Sequence, residues 1–176
     1  MSLSRETEVI FDSRRGQDYH SANPPLYDSS TFHQTVLGGN AQYDYARSGN
    51  PNRTLLEEKL ARLEGGKYAF AYASGIAAIT AVLLTLKSDD HVILPDDVYG
   101  GTFRLTEQIL NRFNIKFTTV NTTNILEIKN AIQSNTKLIY VETPSNPLFK
   151  ITDIRAVARI AKQNNLLLAV DNTFMT

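Results

Sequence analysis

Two apolar runs decide the fold: Leu138-Ile139-Tyr140-Val141 and Leu166-Leu167-Leu168-Ala169-Val170, with Thr152-Asp153 between them opening a helix that ends near Gln163. Both are short and continuously apolar, as strands buried on both faces must be. A strand, a capped helix and a second strand form a βαβ unit, whose strands run parallel.

The same alternation extends upstream. Asn50-Pro51 reads as a helix start, a capping side chain followed by proline at the first helical position. That helix carries Leu55, Leu56, Leu60 and Leu63 and stops at Gly65-Gly66. A strand Tyr68–Ala73 follows, then a Ser74-Gly75 turn into a helix Ile76–Leu86. Next come a strand His91–Leu94, a helix Gly101–Phe113, a strand Ile115–Val120 and a helix Ile125–Ile132. The pattern predicts an α/β fold around a parallel-rich sheet covered on both sides.

Residues 1–50 behave differently. They lack helical or strand periodicity and are broken by Pro24-Pro25, Gly38-Gly39 and Ser48-Gly49. Their aromatics (Phe11, Tyr19, Tyr27, Phe32, Tyr43, Tyr45) argue against plain disorder. The expectation is an N-terminal arm, 1–50, that packs on a neighbouring subunit, followed by the α/β domain, 51–176.

Eighteen basic and eighteen acidic side chains cancel in a chain of 176 residues, which offers no electrostatic footprint for nucleic acid or an anionic membrane. Neither partner is expected. With 42% hydrophobic residues a core needs no staples, and the absence of cysteine excludes disulfides and thiolate metal sites. His20, His33 and His91 have no metal-ligand spacing. The first eight residues contain no apolar core of signal-peptide length. The run Ile76–Leu86, interrupted by Thr80 and Thr85, is too short to span a bilayer. The default expectation is a soluble, cytoplasmic protein.

Open α/β sheets bind ligands at the carboxyl ends of their strands, so the residues following each strand are the candidates. Ser74-Gly75-Ile76 opens a helix; it is either an ordinary cap or a phosphate site, where free N–H groups and the helix dipole meet a close-approaching anion. Tyr99, beside Gly100-Gly101, either covers core or stacks on a flat ligand. Asn146 lies in Glu142-Thr143-Pro144-Ser145-Asn146-Pro147, which is either a rigid turn or part of a site. Asp171 ends an apolar strand, where a carboxylate needs a cation, a cap or a protonated ring nitrogen. In the arm, Tyr45 and Arg47 are either solvated or grip an anion. The chain lacks a G-x-G-x-x-G or P-loop signature, which counts against a nucleotide-binding domain.

These segments resemble the transsulfuration family, the fold-type I pyridoxal-phosphate enzymes that include cystathionine lyases and synthases. The resemblance rests on Tyr45-Ala46-Arg47-Ser48-Gly49-Asn50-Pro51, Ala73-Ser74-Gly75-Ile76-Ala77-Ala78, Asp97-Val98-Tyr99-Gly100-Gly101-Thr102, Glu142–Pro147 and Asp171-Asn172-Thr173-Phe174. It implies that pyridoxal phosphate is the cofactor and that Ser74, Gly75, Ile76, Asn146 and Thr173 belong to its site. Tyr99 would stack on the ring beside the reacting amino acid, as the catalytic residue of this chain, and Asp171 would hold the ring nitrogen protonated. Tyr45 and Arg47 would reach a neighbouring subunit's phosphate, which implies a homo-oligomer, dimer or tetramer.

Within the family, Ser30-Thr31-Phe32-His33-Gln34, Tyr43-Asp44-Tyr45 and Asp171–Thr176 look most like the bacterial beta-lyase branch. That branch takes a small sulfur amino acid, cystathionine, to homocysteine, pyruvate and ammonia. Gamma-synthases and gamma-lyases share the motifs and stand as the alternative. The family's cofactor-bearing lysine lies in a Ser-x-Thr-Lys type segment after the Asp-Asn-Thr strand, and this sequence ends at Thr176. Lys67, Lys87, Lys137 and Lys150 have no such context. The corresponding expectation is a fragment, inactive alone or a non-catalytic remnant.

Overall fold

The structure, a computed structural model, describes residues 23–36 and 38–175. Phe11, Tyr19, His20 and the first eight residues lie outside them. The chain divides into two compact units, Met1–Tyr72 and Ala73–Thr176.

In the first unit, the described residues of 23–50 hold no helix, and the one ladder contact among them is an isolated antiparallel bridge between Thr31 and Tyr45. Helix α1 (Pro51–Leu63) follows, with Asn50 as its cap: the Asn50 side chain accepts from the Asn52 N–H. The Asn50 amide also donates to Tyr27 O at 3.1 Å, and the Asn52 amide to Pro25 O at 2.7 Å. Polar side chains therefore tie the irregular segment to the helix start.

The expected strand Tyr68–Ala73 is not formed. The Ala71 N–H goes to Glu57 Oε1 at 2.9 Å, so a side chain takes the donor that a neighbouring strand would need. Tyr68, Phe70 and Tyr72 are all exposed. Among the described residues no strand pairs with this segment.

The second unit is a three-layer α/β sandwich. Its elements are α2 (Gly75–Leu83), β1 (His91–Pro95), α3 (Gly100–Arg104), β2 (Lys116–Val120), α4 (Ile125–Asn130), β3 (Thr136–Glu142), α5 (Ile154–Gln163) and β4 (Leu167–Asp171). The four strands are parallel in the order β2-β1-β3-β4. The expected helix Gly101–Phe113 is only partly α: α3 passes into a π turn, Leu105–Ile109, and a 3-10 turn, Leu110–Phe113. Within it the buried Thr106 hydroxyl bonds back to Thr102 O at 2.9 Å, a contact that competes with regular helix geometry.

Period-two alternation sorts the strands' side chains onto two cores. Val92, Leu94, Leu138 and Tyr140 pack with Leu83 of α2 and with Leu110. Ile93, Ile139 and Val141 pack on the other face with Ile128 of α4 and with Val157 and Ile160 of α5. At the amino-terminal end of the sheet His91 is buried, its ring nitrogens bonded to Thr136 Oγ1 at 2.8 Å and Thr118 Oγ1 at 2.9 Å. Burial holds its pKa below the ordinary histidine value.

From β1 the chain runs outward to β2, then crosses back over β1 to β3 and on to β4. The connections after β1 and β3 thus diverge, which makes the carboxyl ends of these two strands the topological switch point. No helix among the described residues is long and apolar enough to cross a membrane.

Candidate functional site

A cavity of about 370 Å³ opens at this switch point, on the face covered by α2 and α3. Ser74, Gly75, Ile76, Tyr99, Asn146, Asp171 and Thr173, seven residues singled out in the sequence, line it together. They come from four separate stretches of chain. Ile79, Glu142, Pro144 and Phe174 complete the wall. Every lining residue belongs to the second unit.

Ser74 caps α2, its side chain accepting from the Ala77 N–H at 3.2 Å. The Gly75 and Ile76 N–H groups, in the first turn, make no hydrogen bond among the described residues. A Cβ at Gly75 would meet nothing within 4 Å, so the space beside these two donors is open. Donors, dipole and open space together form an anion-receptive corner.

Tyr99 precedes α3 and is half exposed. Its ring lies over Gly101, where an added Cβ would come within 2.4 Å of a ring carbon. Glycine at 101 is therefore what lets the ring take this position. The Tyr99 N–H donates to Glu142 Oε2 at 2.9 Å, and the Asn146 N–H to Glu142 Oε1 at 2.7 Å. One buried carboxylate thus clasps the loops leaving β1 and β3. A second clasp lies alongside, where Asp97 Oδ2 accepts from the Ser145 hydroxyl and from the Leu148 N–H.

Asp171 ends β4 in register with Glu142. Its Oδ1 accepts from the Thr173 N–H at 3.1 Å and the Thr173 hydroxyl at 2.5 Å, and its Oδ2 from the Tyr140 hydroxyl at 2.8 Å. Burial pushes the Glu142 carboxyl above its ordinary range, its two backbone donors oppose this, and the nearby Asp171 and Asp97 charges add to it. The Tyr140 phenol is pushed upward by burial first and then by Asp171.

Glu142, Asp97 and Tyr140 were not singled out from the sequence. For Glu142 the signal was available: like Asp171, it ends an apolar strand, where a carboxylate must find donors. Tyr45 and Arg47 lie in the first unit, where Arg47 Nη2 donates to the Tyr45 hydroxyl at 2.7 Å and the guanidinium sits 4.8 Å from the ring centroid. Among the described residues no lysine lines the cavity, and Lys150 is paired with Asp96 at 2.9 Å.

Fold and cavity define an α/β domain with a small-molecule site at its topological switch point. The profile of the Cys/Met metabolism PLP-dependent enzymes matches residues 6–176, and the chain belongs to that family. The cystathionine beta-lyase MetC of Staphylococcus haemolyticus is 84% identical over 176 residues, covering all of this chain and 45% of that protein. The Bacillus subtilis cystathionine beta-lyase MetC is 52% identical over 152 residues, 86% of this chain and 39% of that protein. Among solved structures, a cystathionine gamma-lyase from Lactobacillus plantarum complexed with L-serine superposes with a TM-score of 0.93 at 44% identity, covering 99% of this chain and 46% of that one. The chain spans less than half the length of these relatives.

The cavity fits pyridoxal phosphate, the family's cofactor, on chemistry of its own. It has an anion-receptive helix start, a half-exposed flat ring and a carboxylate with an oxygen left to accept.

Proposed function

We propose that this chain supplies the cofactor-binding part of a pyridoxal-phosphate-dependent carbon–sulfur lyase that cleaves L-cystathionine to homocysteine, pyruvate and ammonia. The reading is carried by one observation: four distant stretches of chain, chosen for a phosphate, a flat ring and a ring nitrogen, line a single cavity. The 84% identity to a beta-lyase favours beta over gamma chemistry.

Gly75 and Ile76 would bind the phosphate through their backbone donors, with Ser74 beside them. Tyr99 would stack on the ring, its position set by the Glu142 clasp and by the space that Gly101 leaves. Asn146 would sit beside the ring hydroxyl. Asp171, fixed by Thr173 and Tyr140, would face the ring nitrogen and hold a proton there. Pyridoxal phosphate, when bound, supplies an electron sink for the charge left at the substrate's α-carbon. No described residue is assigned to move the α-proton.

Tyr45 and Arg47 would serve a neighbouring subunit's phosphate, in a homotetramer acting in the cytoplasm in methionine biosynthesis. Their mutual hydrogen bond holds the two side chains together, which is compatible with their acting as a pair. The whole protein, supplied with L-cystathionine and pyridoxal phosphate, is expected to release pyruvate. Release of 2-oxobutyrate would instead assign the gamma route, and turnover only with an activated homoserine plus cysteine would assign the synthase.

A further inference from the structure

Tyr140 is buried in the core beneath α2. The hydroxyl points along the sheet's carboxyl edge and donates to Asp171 Oδ2 at 2.8 Å. Asp171 Oδ1 is already occupied by both Thr173 donors. Asp171 lines the cavity, and its carboxylate has one oxygen holding two donors and one, Oδ2, holding a single donor with capacity for another. Glu142, in register beside it, gives both its oxygens to backbone N–H groups and offers Asp171 no proton. Thr102 Oγ1 makes no hydrogen bond among the described residues, although it lies close enough to counter part of the upward push on the Tyr140 phenol. That phenol keeps its proton at any working pH, so toward Asp171 it acts only as a donor.

We propose that Tyr140 is a positioning residue: its hydroxyl aims Asp171 Oδ2 into the cavity and biases a proton shared between that oxygen and a bound pyridine nitrogen toward the nitrogen. The inference rests on the reading of the cavity as a pyridoxal-phosphate site. A proton between a pyridine and a carboxylate has two placements, on nitrogen with the carboxylate ionised or on oxygen with both groups neutral. A donor to the ionised carboxylate favours the first. Taking that donor away removes one bond that stabilises the ionised carboxylate, and the shared proton shifts from nitrogen toward Oδ2 with no other bond changed.

The test uses cofactor-free protein and deoxypyridoxine phosphate labelled with nitrogen-15 in the ring. This analogue lacks the aldehyde and binds without a covalent bond. At neutral pH, native protein is expected to give a pyridinium nitrogen shift. Tyr140→Phe should move that shift toward neutral pyridine and weaken binding roughly tenfold, the scale of a hydrogen bond to a charged group. Should Tyr140→Phe not fold, replacement of Tyr140 by para-aminophenylalanine keeps the ring's shape with a weaker donor, and should move the shift the same way by less.

An unchanged nitrogen shift in a folded variant overturns the role of Tyr140, even if affinity drops, and leaves the site reading standing. Failure of the native protein to bind the analogue overturns the site reading and this inference with it.

Discussion

In the second unit Leu83, Ile93, Leu94, Ile139 and Val141 are fully buried on the two faces of the sheet, whereas among the described residues of the first unit only Ala61 is buried. The first unit is held by side chains reaching backbone: Asn50 to Tyr27 O, Asn52 to Pro25 O, Arg53 to Ser48 O, and Glu57 to the Ala71 N–H. Its apolar groups Leu26, Leu56, Tyr68 and Phe70 stay exposed. Apolar burial stabilises by area removed from water, while an exposed hydrogen bond contributes little beyond what water already gives. Among the described residues the buried core of the second unit is therefore the larger source of stability, although it too exposes apolar side chains such as Leu126, Leu148 and Ile151. The first, with almost no buried core, would gain most by docking, in keeping with the role proposed for Tyr45 and Arg47.

The sharpest way to break this contrast is a matched pair of truncations. Ile139→Ala, at a fully buried position, is expected to cost about 2–5 kcal/mol in denaturant unfolding of the second unit. Leu56→Ala, half exposed in α1, should change stability by only about 0.5 kcal/mol. Equal losses would mean that the first unit has a core of its own.

Next in size is the cap. Asn50→Ala removes the acceptor for Asn52 N–H and the donor to Tyr27 O, and should cost α1 about 1 kcal/mol. Hydrogen exchange should quicken at the start of α1 and leave β1–β4 protected.

Gly101→Ala separates site from scaffold. Alanine is the better helix residue by about 1 kcal/mol, so sheet stability should hold or rise slightly. The added methyl must displace the Tyr99 ring, and pyridoxal-phosphate affinity should fall severalfold by titration. Unchanged affinity would remove Tyr99 from the proposed stack.

The smallest effect is acid sensitivity. His91 has a folded pKa below its unfolded value of about 6.5, so the unfolded state binds the extra proton first. Its contribution is intact above pH 6.5 and is lost as pH falls from there through the lowered folded value. Thermal unfolding of the second unit between pH 7.5 and 5 should reveal this slope, and His91→Asn should flatten it.

The same contrast explains what was legible in the residues. The runs at 91–94 and 138–141 fall in strands whose burial on both faces leaves a continuous apolar signature, whereas the run at 166–170 enters β4 only from Leu167, with Leu167 and Val170 exposed and not buried on both faces as expected. Ser74 and Asp153 were recognisable as caps because a cap is a local bond, three residues long. The segment 68–73 misled, since apolar composition alone does not say whether a partner strand exists. The clasp of Glu142 on Tyr99 and Asn146 was not legible either, because it spans 43 residues in one direction and four in the other.

Apart from the segment 68–73 and the π and 3-10 turns after α3, sequence alone determined which stretches become strands and helices, and which loops carry groups suited to a phosphorylated ring, because hydrophobic period and capping are local properties. Only the tertiary structure decided the strand order that opens a crevice between β1 and β3, and the alternation that puts Tyr140 and Glu142 on the cavity's side of the sheet. Those outcomes depend on which strand lies beside which, and that is settled by packing the two faces of the sheet at once.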